Sequence, residues 1–151
     1  FSKRASLRKS LEEALPNESW AIGVSSSEEI DKVNILQATF LAMHRAIEQL
    51  IPQPNLLLID GNRFKPYPNI VHRCEIKGDA RFQAISAASI FAKTHRDQIM
   101  LEAHMENPQY EWNANKGYPS KNHRVAMLKY GLTEIHRKSF KWRNPQIKLD
   151  F

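Results

Sequence analysis

Cysteine is almost absent from this chain. Among 151 residues only Cys74 carries a thiol, so no intrachain disulfide can form and a packed core must hold the fold. Long apolar runs are missing too, and no segment approaches the roughly 20 residues of a membrane-spanning helix. There is no internal repeat, low-complexity tract or interdomain linker, which excludes repeat arrays and fibrous classes. Acidic residues are the minority, 16 against 22 Lys plus Arg, for a net charge of +6. A basic domain of this kind suits a phosphate-rich partner without requiring one. The 42% hydrophobic and 25% charged content is ordinary for a soluble protein. These absences point to a single domain over 1–151 in a reducing, cytoplasmic setting, with no membrane partner. Asn17-Glu18-Ser19 matches a glycosylation acceptor, but nothing else suggests secretion.

What is present alternates between helical and extended patterns. Ser6 to Leu15 is rich in Leu, Glu, Ala and Arg, and Pro16-Asn17 stops that helix. Trp20-Ala21-Ile22-Gly23-Val24 reads as a short strand. Ser26 and Glu29 form a capping-box pattern, after which Ile35, Leu36, Phe40, Met43, Ile47 and Leu50 recur at helical spacing up to Pro52. That stripe is expected in the core. Leu56 to Asp60 reads as a central strand buried on both faces, and Ile70 to Ile76 as another, across a loop with Pro66 and Pro68. The small residues Ala84, Ala87, Ala88 and Ala92 mark a long helix after Asp79 that ends at Asn107-Pro108. A last helix runs from Ser120 to Tyr130, with Gly131 as its C-cap. The sum is one α/β domain.

Two carboxylates stand out. Asp60 ends the apolar strand, and nineteen residues later Asp79 sits in Lys77-Gly78-Asp79. Carboxylates at the ends of adjacent elements suit a hard divalent cation such as Mg²⁺, which takes one or two of them plus water and substrate oxygens. The competing structural roles are a turn at Asp60-Gly61-Asn62 and a helix cap at Asp79. His72 and Cys74, with His95 and His104, match no usual zinc spacing. Arg96-Asp97 reads as an ion pair on or in the long helix.

Five strings occur in a set order: Leu58-Ile59-Asp60-Gly61-Asn62, Lys77-Gly78-Asp79, Ala87-Ala88-Ser89-Ile90-Phe91-Ala92-Lys93-Thr94-His95-Arg96-Asp97, Lys116-Gly117-Tyr118-Pro119-Ser120-Lys121-Asn122-His123, and His136-Arg137-Lys138-Ser139-Phe140. Together they resemble the ribonuclease HII family from about Trp20 to Phe140, with Glu28-Glu29-Ile30-Asp31 and Asn34 to Thr39 fitting as well. The sister family, ribonuclease HIII, shares the carboxylate logic, but the Asp-Gly-Asn and Lys-Gly-Tyr-Pro strings look more like HII.

The resemblance implies a ribonuclease H-like fold, a central mixed sheet flanked by helices. It also implies an endonuclease that cuts the RNA strand of RNA–DNA hybrids and single ribonucleotides embedded in duplex DNA, leaving 3′-hydroxyl and 5′-phosphate ends. Asp60 and Asp79 would be catalytic metal ligands for a two-ion site of Mg²⁺ or Mn²⁺. Tyr118 would stack on the sugar at the ribonucleotide junction, its competing role being a loop anchor. Lys116, His136 and Arg137 are candidate phosphate contacts by residue type, with a solvated surface as the competing role. A monomer is expected. The family's active site also uses two carboxylates in an Asp-Glu-x-Gly-Arg-Gly motif that these residues do not contain. Phe1-Ser2-Lys3-Arg4 resembles the stretch leading into the family's first helix, so the missing hairpin is expected upstream. The 151 residues alone are then expected to be inactive, and the central sheet to have unpaired edges. The rival class is a non-catalytic nucleic-acid-binding fragment that keeps a basic surface at Lys116, Lys121, Arg124, Lys129, Arg137, Lys138, Lys141 and Arg143.

Overall fold

Helix α1 (Ser2–Ala14) is the first element of the computed structural model, which describes residues 2–140. Lys141 and Arg143 of the expected basic surface lie outside the described residues. Ion pairs one turn apart, Arg8 to Glu12 at 2.7 Å and Lys9 to Glu13 at 3.9 Å, support α1. Its inner side lies on the long helix α3 (Gln83–Glu106), where Arg8 Nη1 donates to Thr94 Oγ1 at 3.2 Å and Arg4 pairs with Asp97 at 3.8 Å. Asp97 therefore pairs with α1, and the expected Arg96-Asp97 pair is not formed.

Trp20 to Val24 does not form a strand. The segment is extended, but no chain lies beside it among the described residues, and helix α2 (Ser27–Glu48) takes up its carbonyls instead. Arg45 Nη1 donates to Val24 O at 2.7 Å and Gln49 Nε2 to Ile22 O at 3.4 Å. Gly23 lies so close to α2 that a Cβ there would fall 1.8 Å from the Ala42 carbonyl oxygen. Trp20 stacks on Phe91 of α3 with ring centroids 4.2 Å apart.

The capping box forms as the sequence predicts: Glu29 N–H donates to Ser26 Oγ at 3.1 Å, and Ser26 N–H to Glu29 Oε2 at 2.9 Å. Helix α2 then breaks at Asn34, whose φ of 67° and ψ of 164° are not helical. The Asn34 side chain caps the part that follows, accepting from Leu36 N at 3.0 Å and Gln37 N at 3.2 Å. This kink turns Ile35 and Leu36 outward, so they are exposed and the expected apolar stripe reaches the core only from Ala38 and Phe40 onward.

Strands β1 (Leu56–Asp60) and β2 (Val71–Glu75) pair in parallel, with Leu56 opposite Val71 and Asp60 opposite Glu75. Both outer edges of the pair are open among the described residues. Leu57 and Ile59 are buried with Ile47 of α2, and Phe64, Tyr67, Ile70 and Cys74 pack around them. The other face is only partly covered: Leu58 is half-buried, while Leu56 and Val71 are 50% and 70% exposed. β1 is thus not buried on both faces: the side bearing Leu57 and Ile59 is packed in the core, and the side bearing Leu56, Leu58 and Asp60 is only partly covered.

A second core lies where α3 meets the short helix α4 (Trp112–Asn115) and helix α5 (Lys121–Tyr130), with Met100, Tyr110, Trp112, Ala126 and Met127 at its centre. Ser120 caps α5 by accepting from His123 N at 3.2 Å, and Gly131 closes it at φ 81°. A small parallel sheet flanked by helices is consistent with a ribonuclease H-like fold. No described helix is long and apolar enough to cross a membrane.

Candidate active site

Asp60 is the last residue of β1, so its side chain emerges where the strand gives way to the loop at Gly61, whose φ is 99°. The register places Glu75 directly across, and Gly61 N–H donates to Glu75 O at 2.9 Å, extending the ladder by one bond. Beyond β2, Lys77 adopts a left-handed backbone (φ 54°, ψ 42°) that starts a turn of 3₁₀ helix over Gly78–Ala80. That turn aims the Gly78 amide back at β1, where it donates to Asp60 Oδ1 at 2.9 Å. Asp79 follows immediately and is exposed, with no hydrogen bond or ion pair among the described residues. It does not cap α3, whose N-cap is Phe82 with no side-chain cap.

Gly78 is closely packed. A Cβ there would lie 2.6 Å from Ile85 Cδ1, 3.3 Å from Glu75 Cβ and 3.4 Å from Asp60 Oδ1. The two exposed carboxylates thus flank one buried backbone turn. Hard oxygen ligands of this type fit Mg²⁺ or Mn²⁺, which need only one or two protein carboxylates. Among the described residues, however, no three His, Cys, Asp or Glu side chains converge as a complete metal cage.

Glu75 was not singled out by the sequence. It is buried, and Arg81 Nη1 reaches it at 2.7 Å while Arg73 Nε contacts its other oxygen. Both guanidiniums also lie over the Phe82 ring, at 5.6 Å for Arg73 and 5.3 Å for Arg81. Glu75 is therefore committed to two cations and acts as a brace behind Asp60, rather than as a third free ligand. Only the alternation of charge through Arg73, Glu75 and Arg81 could have hinted at it.

The remaining candidates gather at the second core. Lys116 and Gly117, both at positive φ (51° and 81°), form the turn after α4, and Gly117 N–H donates to Asn115 Oδ1 at 2.8 Å. Tyr118 N–H donates to Asn115 O at 2.8 Å, and its own carbonyl accepts from Ser120 N at 2.8 Å. A backbone held this tightly presents a side chain that is 75% exposed, so Tyr118 does not anchor its loop in the core. Lys116 is half-buried beside it.

His136 is placed differently from Tyr118. It is buried, stacked on His123 with centroids 5.4 Å apart, and edged by Tyr110 and Trp112. Burial, and then the neighbouring His123, push its pKa down to about 4, so it is neutral at ordinary pH. Arg137 is half-buried, with its guanidinium 4.1 Å from the Phe140 ring centroid. The next two residues are held by Asp31, which accepts from the Ser139 hydroxyl, Ser139 N at 2.9 Å and Lys138 N at 2.8 Å and is thereby kept below the usual carboxylate pKa, the hydroxyl bond contributing most. The structure thus makes two groups: Asp60 with Asp79, ahead of the N-terminus of α3, and Lys116, Tyr118, His136 and Arg137 farther along the same helix.

Comparison with known proteins gives a consistent answer. The family model described as Ribonuclease HII matches residues 2–143. A ribonuclease HII of Parabacteroides distasonis is 55% identical over 150 residues, covering 99% of this chain and 74% of the relative. One from Christiangramia forsetii is 51% identical over 146 residues (95% and 74%), and one from Bacteroides thetaiotaomicron 55% over 139 residues (91% and 68%).

Proposed function

The chain belongs to the ribonuclease HII family, a family of hydrolytic endoribonucleases, and on that premise we propose that it cleaves the RNA strand of RNA–DNA hybrids and single ribonucleotides embedded in duplex DNA. The products would carry 3′-hydroxyl and 5′-phosphate ends, as removal of ribonucleotides from DNA requires. The observation that carries this reading is the turn at Gly78, which ties Asp60 to the segment bearing an unpaired Asp79. Two exposed carboxylates with no ion-pair partner among the described residues are left over for metal, whereas Glu75 is neutralised by arginines.

Asp60 and Asp79 would hold Mg²⁺ or Mn²⁺. When bound, two such ions supply activation of the attacking water and stabilisation of the leaving oxygen. The chain's own part is to orient: the Gly78 amide fixes one Asp60 oxygen and leaves the other free, and the Glu75–Arg81 pair stiffens the strand end behind it. Tyr118, exposed on a rigid turn, has the placement needed to stack on a sugar or base. Lys116 and Arg137 would add phosphate contacts around it, with His136 reaching substrate only from inside the fold. The 2′-hydroxyl would distinguish RNA from DNA. We further propose that these residues form one catalytic domain, act as a monomer and work in the cytoplasm, where a lone Cys74 stays reduced.

The test is cleavage of a labelled hybrid and of a duplex with one embedded ribonucleotide by an enzyme that includes the Asp-Glu-x-Gly-Arg-Gly segment. Asp60→Asn and Asp79→Asn should each abolish metal-dependent cleavage while changing the unfolding midpoint little. Activity retained by either variant sinks the assignment. These 151 residues alone, with two of the four expected carboxylates, should give no hydrolysis above background with either metal.

A further inference from the structure

Beside the turn at Gly117 lies a cavity of about 60 Å³, walled by Arg96 and Met100 of α3, Trp112, Gly117, His136 and Arg137. It exceeds the roughly 10–15 Å³ that one water needs, and is far below the several hundred Å³ of a nucleoside or drug-sized site. Apart from the His123 ring, every polar side-chain group identified at its wall is a donor. Thr133 N–H donates to His136 Nδ1 at 2.9 Å, which places the proton of the neutral ring on Nε2. That Nε2–H is fully buried and has no partner among the described residues. Arg96 and Arg137 bring only further donors, and neither has a carboxylate within ion-pair distance among the described residues. Asp97, the nearest acid in sequence, is held by Arg4. His123, the other ring at the wall, turns its Nδ1 to the Tyr110 carbonyl at 3.2 Å. Gly117 keeps the wall thin, since a Cβ there would press on Arg96 Nη2 and Met100 Sδ, each at 3.1 Å.

A buried donor without an acceptor is costly, and two guanidiniums at one cavity wall with no ion-pair partner among the described residues cost more. Arg96 shows this: desolvation first, and then the charge of Arg137, lower its pKa from the ordinary arginine value. Both costs vanish if an acceptor-only, negatively charged group enters. We infer that this cavity is a binding site for one phosphate-type oxyanion, held by Arg96 and Arg137 at the mouth and by His136 Nε2–H at the floor. Its sources would be a backbone phosphate of bound nucleic acid or free inorganic phosphate. The first source rests on the nuclease reading; the second does not.

The experiment titrates inorganic phosphate into the metal-free protein at constant ionic strength, with chloride as the control. It follows the histidine side-chain ¹H–¹⁵N resonances and the unfolding temperature. The His136 Nε2–H resonance and the unfolding temperature should move together and saturate. Arg96→Gln and Arg137→Gln should weaken the midpoint tenfold or more, and Arg96→Lys less. A parallel arm measures the salt dependence of binding to a non-cleavable hybrid. If a backbone phosphate fills the cavity, Arg96→Gln should lower the log–log slope by about 0.9. A phosphate response with an unchanged slope assigns the site to free phosphate. An unmoved His136 resonance together with an unchanged slope overturns the inference, leaving a cavity filled by water. If the hybrid is not bound at all, the nuclease reading fails, while the phosphate titration still decides the site.

Discussion

The Gly78 amide donates to Asp60 Oδ1 at 2.9 Å, so a residue without a side chain fixes the orientation of a carboxylate on a neighbouring strand. A methyl at position 78 would meet Ile85 Cδ1 at 2.6 Å, so the Ile85 side chain or the turn must shift to admit it. Gly78→Ala should therefore cost about 1–3 kcal/mol by overpacking, and should lower kcat at least tenfold by releasing Asp60. Urea unfolding and single-turnover cleavage separate the two effects. Full kcat in a variant of reduced stability would show that the Gly78–Asp60 bond does not position the site.

Glu75 and Arg81 form a brace that is testable apart from chemistry. The Glu75 carboxylate is largely buried, but the arginine side chains are more than half exposed, so solvent screens much of the attraction. Arg81→Ala should cost only about 1 kcal/mol, because Arg73 still neutralises Glu75. Removing both arginines strands a buried carboxylate and should cost about 3 kcal/mol or more. A double-mutant cycle by urea denaturation measures the difference. Strict additivity of the two single losses would mean that the arginines do not share Glu75.

Much of this was legible in the sequence where a local signal carries the structure. β1 has the bounds expected from its apolar run, α3 ends at Asn107-Pro108, and Ser120 and Gly131 bracket α5. Each depends on propensity or capping over a few residues. The misses depend on what lies across space. Trp20 to Val24 has a strand's composition but no partner among the described residues, so helix side chains take its carbonyls. The Asn34 break was hidden because asparagine caps and helix interiors look alike in sequence until the side chain is seen to accept from Leu36 and Gln37. Of the site, Asp60 and Asp79 could be picked by type and position. Glu75 and Arg96 could not, since burial and the lack of an acceptor are tertiary properties.

His136 makes stability depend on pH in a defined window. Its folded pKa of about 4 lies below its ordinary value of 6.5, so between those values the unfolded chain binds a proton that the folded chain does not. Stability should fall as pH drops from about 6.5 toward 4, by on the order of 1–3 kcal/mol, then level off for this group. Glu29, held down to about 2 by Arg45 and the Ser26 amide, acts in the separate window below its ordinary 4.5. Urea midpoints across pH in phosphate-free buffer should show the upper window, and His136→Asn should flatten it. A midpoint that does not change between pH 7 and 5 in the wild type would contradict a neutral buried His136.

Tyr118 separates recognition from catalysis. Its backbone is tied by bonds of 2.8 Å to Asn115 and Ser120 while its ring is 75% exposed, so truncating the ring should leave the fold intact. Stacking on a sugar or base is worth about 1–3 kcal/mol, or roughly tenfold or more in kcat/KM. Tyr118→Ala should show that loss most strongly on a duplex with a single embedded ribonucleotide, where one junction must be found. The loss should be smaller on a long hybrid, where every position offers a ribose. Tyr118→Phe keeps the ring and should be milder on both. Metal titration of the variants should be unchanged, because Tyr118 stands apart from Asp60 and Asp79, the residues proposed to hold the ions. Equal kcat/KM for all three proteins on both substrates would reduce Tyr118 to a surface residue of its turn.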